Sequence, residues 1–153
     1  MNNAPTQQPH EFLNDIFNTS KLDLRASTGS KSVLNFVDIS GSDAPLLRVE
    51  GGELLDAVEH LVNQIFARTL EGGERYVCDV DGFRAVREAE LRVMARHAAD
   101  RVRASGGPFT FGAMTANERR VIHLALASEE GLATESVGEG NARRLRVTLK
   151  SSV

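Results

Sequence analysis

Arg119 and His123 stand four residues apart in the stretch Thr115 to Leu126, TANERRVIHLAL. At about 100° per residue, a helix puts both on one face, one turn apart. An arginine offers a planar fork of donors that stays charged at any working pH. An imidazole is mostly neutral near pH 7 yet still donates one hydrogen bond, and a nearby phosphate favours its protonated form. A guanidinium beside an imidazole makes a poor core feature and a good phosphate-binding one. Arg120 points about 100° away from Arg119, off the shared face. The bland alternative is that the pair is simply a solvated helix face.

The helix that positions them announces its own start. Thr115 is an N-cap residue, and Glu118 follows three residues later, which is the capping-box spacing. Val121, Ile122, Leu124, Ala125 and Leu126 supply the apolar positions. Arg119 and His123 fall on the polar face, so replacing either with alanine is expected to leave folding intact. Further along, Arg143 to Leu149 alternates, with Arg144, Arg146 and Thr148 on one side and Leu145, Val147 and Leu149 on the other. Arg143, Arg144 and Arg146 are candidate phosphate contacts. The competing reading makes them the polar side of an edge strand, where charge discourages aggregation.

Charge is distributed unevenly. The formal net charge is −3, which alone argues against a nucleic-acid binder. Residues 1–81 hold 6 Lys and Arg against 13 Asp and Glu, giving −7, whereas residues 82–153 hold 12 against 8, giving +4. Two units with different partners are implied, and the basic one contains Arg119 and His123.

The surrounding residues resemble a known family. Arg119-Arg120-Val121-Ile122-His123 follows Met114 and precedes Thr134-Glu135-Ser136, Gly138-Glu139-Gly140 and Arg143-Arg144. This succession is similar to the R-three-H single-stranded nucleic-acid-binding domain of the bacterial Jag (KhpB-type) RNA-binding proteins. In that family a type II KH domain comes first. Asp43-Ala44, Leu46-Leu47, Gly52-Glu53, Leu55-Asp56-Ala57, Leu61-Val62-Asn63 and Asp81-Gly82-Phe83-Arg84 match it. The resemblance runs from about Glu11 to Val147. It implies a cytoplasmic protein that binds single-stranded RNA or DNA, with a second KH protein or a second copy as a further partner.

One departure stands out. The family's nucleic-acid loop reads Gly-Lys-Arg-Gly, and its place here is expected between a strand and a helix. The four positions read Val49, Glu50, Gly51 and Gly52. Glycine lets the backbone approach phosphates, and the middle residues normally add positive charge. Val49 brings a β-branched side chain, and Glu50 brings the wrong sign. The loop is degenerate, and this unit is expected to bind RNA weakly or not at all.

The pattern predicts an α/β (α+β) fold of two small sandwiches. Residues 1–9 read as a disordered tail, 10–81 as the KH-like unit and 82–150 as the R-three-H unit. In the first unit, a helix over His10 to Asn18 precedes strands over Lys21 to Ser27 and Val33 to Ile39, joined by a turn at Thr28-Gly29-Ser30. Gly41 to Pro45 reads as a loop, Leu54 to Leu70 as a helix and Arg75 to Val80 as a strand. In the second, a long helix over Phe83 to Ser105 shows mixed periodicity and ends at Gly106-Gly107-Pro108.

Other chemistry is poorly supported. His10, His60 and His97 belong to no motif, and one cysteine, Cys78, makes neither a zinc cluster nor an internal disulfide. Asp79, Asp81 and Glu88 straddle a strand end and a helix start, where acids commonly cap. No metal, cofactor or catalytic residue is expected. No apolar run approaches the roughly 20 residues needed to cross a bilayer. Two readings remain: a single-stranded nucleic-acid-binding protein acting through Arg119, His123 and the basic strand, or a protein-interaction and dimerisation module with a KH scaffold that does not bind.

Overall fold

The computed structural model describes residues 7–29 and 35–151. Most of the expected tail and the far side of the Thr28–Ser30 turn, with Val33 and Leu34, lie outside them. The chain divides into two compact units, Met1–Arg84 and Ala85–Val153. Each mixes helices with a three-stranded sheet.

The first unit opens with α1 (Pro9–Thr19). Pro9 occupies the first turn, where its missing N–H costs nothing, and Gln8 with Glu11 forms a capping box. Strands β1 (Arg25–Thr28) and β2 (Phe36–Ser40) pair antiparallel. β3 (Val77–Val80) then pairs with β2 in parallel, in the order β1-β2-β3. A parallel pair needs a crossover. It is made by α2 (Pro45–Arg48), a tight turn over Val49–Gly51, and α3 (Glu53–Phe66).

Pro45 read as the end of a loop, but it starts the short α2. The stretch Val49 to Gly52 therefore joins two helices, not the strand and helix expected. Proline's fixed φ suits a first helical turn, and that outweighs its reputation as a breaker.

Alternation sorts the sheet. Ala26, Val37, Ile39, Cys78 and Val80 are buried on one face, against Leu13 and Phe17 of α1 and Leu55, Val62 and Phe66 of α3. Asn63 ties α3 to the residue just before β3, because its Nδ2 donates to the Tyr76 carbonyl at 2.8 Å and its Oδ1 accepts from the Tyr76 N–H at 2.8 Å. Asp79 breaks the alternation by being buried, and the reason is local. Its Oδ1 accepts from the backbone N–H of Val80 at 2.8 Å and of Arg84 at 3.1 Å, which fixes the start of the next helix.

Burial and the nearby Glu59 carboxylate push the Cys78 thiol up to about 12, although Arg84 pulls the other way. Thiolate is the reactive form. The native protein is therefore expected to leave a thiol reagent such as DTNB unreacted at pH 8. One equivalent should react once denaturant is added, and rapid reaction without denaturant would contradict the buried placement.

The second unit takes most of α4 (Phe83–Ser105), then β4 (Phe109–Thr110), α5 (Ala116–Leu126), β5 (Leu132–Val137) and β6 (Arg144–Leu149). The sheet order is β4-β6-β5, all antiparallel. β6 is thus the central strand and not the edge strand considered from sequence. The mixed periodicity of α4 resolves into a narrow stripe, with Leu91, Ala95, Ala98, Ala99 and Val102 buried and Val86 and Val93 exposed. Phe111, Ile122, Leu126, Leu132, Leu145 and Val147 complete this core.

Candidate nucleic-acid interface

Position α5 first. Thr115 is its N-cap: the Glu118 N–H donates to Thr115 Oγ1 at 3.2 Å, and the Thr115 N–H donates to Glu118 Oε2 at 3.2 Å. Glu118 is buried, and its Oε1 accepts from Arg87 Nε of α4 at 2.7 Å. Burial works against the Arg87 charge, but hydrogen bonds to Glu90 and Glu118 outweigh it and raise its pKa. The capping carboxylate is therefore also one end of an ion pair, and Arg87 escaped the sequence reading because it lies 31 residues away.

Ile122 and Leu126 point into the core, which leaves Arg119 and His123 beside β5. Arg119 Nε donates to Ser136 Oγ at 3.2 Å, and one Nη1 hydrogen goes to the Met114 carbonyl at 2.7 Å. His123 Nδ1 shares a hydrogen bond with Thr134 Oγ1. The two rungs have a simple geometric origin. Four helical residues rise about 6 Å, and two strand residues span nearly the same distance. Residues 119 and 123 therefore stay in step with 136 and 134 as the helix runs antiparallel to the strand.

A guanidinium has five N–H donors, so Arg119 keeps three after its two anchors. His123 is exposed, and its Nε2 has no partner among the described residues. Arg119 is only half-exposed, so it is more embedded than a polar helix face suggests. Ser136 and Thr134 are the residues whose supporting role the sequence reading missed. The signal was there in their alternate spacing on a strand, but not the register that faces them to α5.

The other basic candidates divide. Arg120 is exposed on α5. Arg143 is exposed too, and its carbonyl accepts from the Met114 N–H at 3.1 Å, so its backbone lies beside the Arg119 anchor. Arg144 and Arg146 are elsewhere. In register, Arg146 pairs with Glu135 and Arg144 with Val137, whereas the buried Val147 pairs with Thr134 and Leu145 with Ser136. Cross-strand partners share a face. Arg144 and Arg146 therefore project from the sheet face opposite to α5, and Arg146 is in an ion pair with Glu135, with Nε to Oε1 at 2.8 Å. They do not join Arg119 and His123 in one patch.

His97 is exposed, with its ring edge-on to Phe109. Among the described residues, no group of three or more His, Cys, Asp or Glu could hold a metal ion, and no helix is long and apolar enough to cross a membrane.

One comparison with known proteins falls on this same unit, and another spans nearly the whole chain. Residues 89–149 match the R-three-H domain. That match covers most of α4 through β6, and so takes in Arg119, His123 and both hydroxyl anchors. A curated relative, the RNA-binding protein KhpB of Clostridium symbiosum, is 26% identical over 142 residues, which is 92% of this chain. The chain spans 64% of the length of that relative. The unit that carries this match is a mixed helix and sheet body in which helix α5 displays an arginine and a histidine held by strand β5.

The Thr134 rung can be tested directly. Thr134→Val keeps shape and removes the hydroxyl. A lost neutral hydrogen bond is worth about 0.5–1.5 kcal/mol. Affinity for single-stranded RNA is expected to fall by about threefold, with Thr134→Ser close to the parent, in fluorescence-anisotropy titrations. Equal affinity for the valine variant would show that the anchor does not matter.

Proposed function

We propose that the protein binds single-stranded nucleic acid, with RNA as the expected ligand, through the face of the R-three-H unit that displays Arg119 and His123. The observation that carries this is the pair of rungs to Ser136 and Thr134. They hold both side chains in place while leaving three Arg119 donors and one ring nitrogen of His123 without a partner among the described residues. The guanidinium donors match phosphate oxygens in geometry and sign. Arg120 and Arg143 flank the pair and add charge. Arg144 and Arg146 lie on the opposite sheet face and count for less.

The family match and the name of the relative support the same reading, which is one of binding and not of catalysis. The first unit supports a Jag-type arrangement. Its order of helix, two strands, two helices and a strand, with one antiparallel and one parallel pairing, suits a type II KH scaffold. Its loop at Val49–Gly52 puts a carboxylate where a cation is wanted, so the R-three-H unit supplies most of the affinity. Gly52 must be glycine for two reasons: its φ is +85°, and a Cβ there would come within 2.7 Å of the Phe83 ring. An RNA ligand and a lone buried thiol both suit a cytoplasmic protein.

A salt-series titration tests the reading. Short single-stranded RNA and DNA are measured against duplex controls. Affinity for single strands should fall linearly on a log–log plot as salt rises, because phosphate contacts release counterions. Duplex binding equal to single-strand binding, or affinity independent of salt, would sink it.

A further inference from the structure

The first unit has a groove between α2 and α3. It is an open depression of about 360 Å³ lined by Leu46, Val49, Glu50, Glu53, Leu54 and Ala57. Leu46, Val49 and Leu54 are large aliphatic residues that remain 48%, 55% and 47% exposed. Scattered surface leucines are ordinary, but here three large aliphatic side chains converge on one groove and stay uncovered. Two carboxylates share that groove with them. The Glu53 carboxyl is raised above its ordinary value, first by a side-chain hydrogen bond with Glu50, then by desolvation and by the charges of Glu50 and Asp56. Crowded carboxylates of this kind gain when a cation arrives.

We propose that this groove docks an amphipathic helix of a partner protein, with aliphatic anchors on one face and lysine or arginine on its flanks. Charge decides the occupant. Residues 1–81 carry −7, so a cationic segment is drawn toward this half and a nucleic acid is repelled. A second copy seated symmetrically would set Glu50 and Glu53 against another Glu50 and Glu53. The shape agrees: a groove between two helices accepts aliphatic side chains at i, i+3, i+4 and i+7 of a third. Val49 needs no special backbone to stand there, since its φ of −64° and ψ of 147° are open to any residue. The protein would then hold RNA with one unit and a basic protein segment with the other.

The test uses the full chain and two labelled designed helices. Both carry leucine at i, i+3, i+4 and i+7, with lysines flanking the leucines in one and glutamates in the other. Fluorescence anisotropy should show the lysine helix binding at least tenfold tighter. Leu54→Gln, at an exposed position, should weaken it several-fold. Glu50→Lys combined with Glu53→Lys should reverse the preference between the two helices. Arg119→Ala should leave peptide affinity unchanged, which separates this groove from the nucleic-acid face. No binding by either helix at millimolar concentration overturns the proposal, and so does a preference that the charge swap fails to reverse. Loss of self-association on Leu54→Gln, seen by sedimentation, would assign the groove to a second copy instead. Loss of single-stranded RNA affinity with the same variant would assign it to nucleic acid.

Discussion

Replacing Arg119 with alanine is expected to weaken binding to single-stranded RNA by about 1–3 kcal/mol, uniformly across sequences, and to reduce the salt slope by about one. The uniformity follows from what the side chain offers. Three remaining guanidinium donors can engage phosphate, and phosphate carries no sequence information. Folding must be checked alongside, because Arg119 is half-buried and anchored to Ser136 and the Met114 carbonyl. Arg119→Lys separates the two effects. It keeps the charge and so most of the salt slope, but lysine has no planar fork, and part of the affinity should still be lost. Parent-like binding by a folded Arg119→Ala protein would remove α5 from the interface.

Glu118→Ala is expected to destabilise the second unit by about 2–4 kcal/mol, read as a lowered urea midpoint by circular dichroism. Two losses combine. One is the capping box, worth about 1 kcal/mol. The other is a buried partner for Arg87, and breaking a buried pair costs about 3–5 kcal/mol. The second figure is discounted, because Arg87 is partly solvated and keeps Glu90, with Nη1 to Oε2 at 2.9 Å. Glu118→Gln keeps the size and a hydrogen-bonding oxygen for Thr115, and should cost clearly less. A midpoint unchanged in the alanine variant would mean that the α4–α5 link contributes nothing.

These cases show where the sequence was legible. The α5 start was readable because a capping box lies within four residues. The sides of β6 were readable because alternation is local, and Leu145 and Val147 are indeed buried while Arg144 is exposed. Which side of that strand α5 would cover was not readable. It depends on pairing β5 with β6, and the same fact decides that Arg144 and Arg146 face away from Arg119. β6 resembled an edge strand for the same reason, since centrality is a property of the sheet. Arg87 with Glu118 and Arg119 with Ser136 are contacts across 31 and 17 residues, beyond any periodicity. The stripe of α4 was faint because alanines fill three of its five buried positions. Pro45 misled because proline opens helices as readily as it ends them.

The two hydroxyl rungs beside α5 also bear on the kinetics of recognition. Freezing a rotamer-rich side chain when a complex forms costs about 0.5–1.5 kcal/mol. Arg119 and His123 meet that cost during folding, because Ser136 and Thr134 restrain them before any ligand arrives. Encounters therefore need little searching by the protein side. Loosening either rung should act chiefly by shortening the residence time of the strand, although neither hydroxyl needs to touch it.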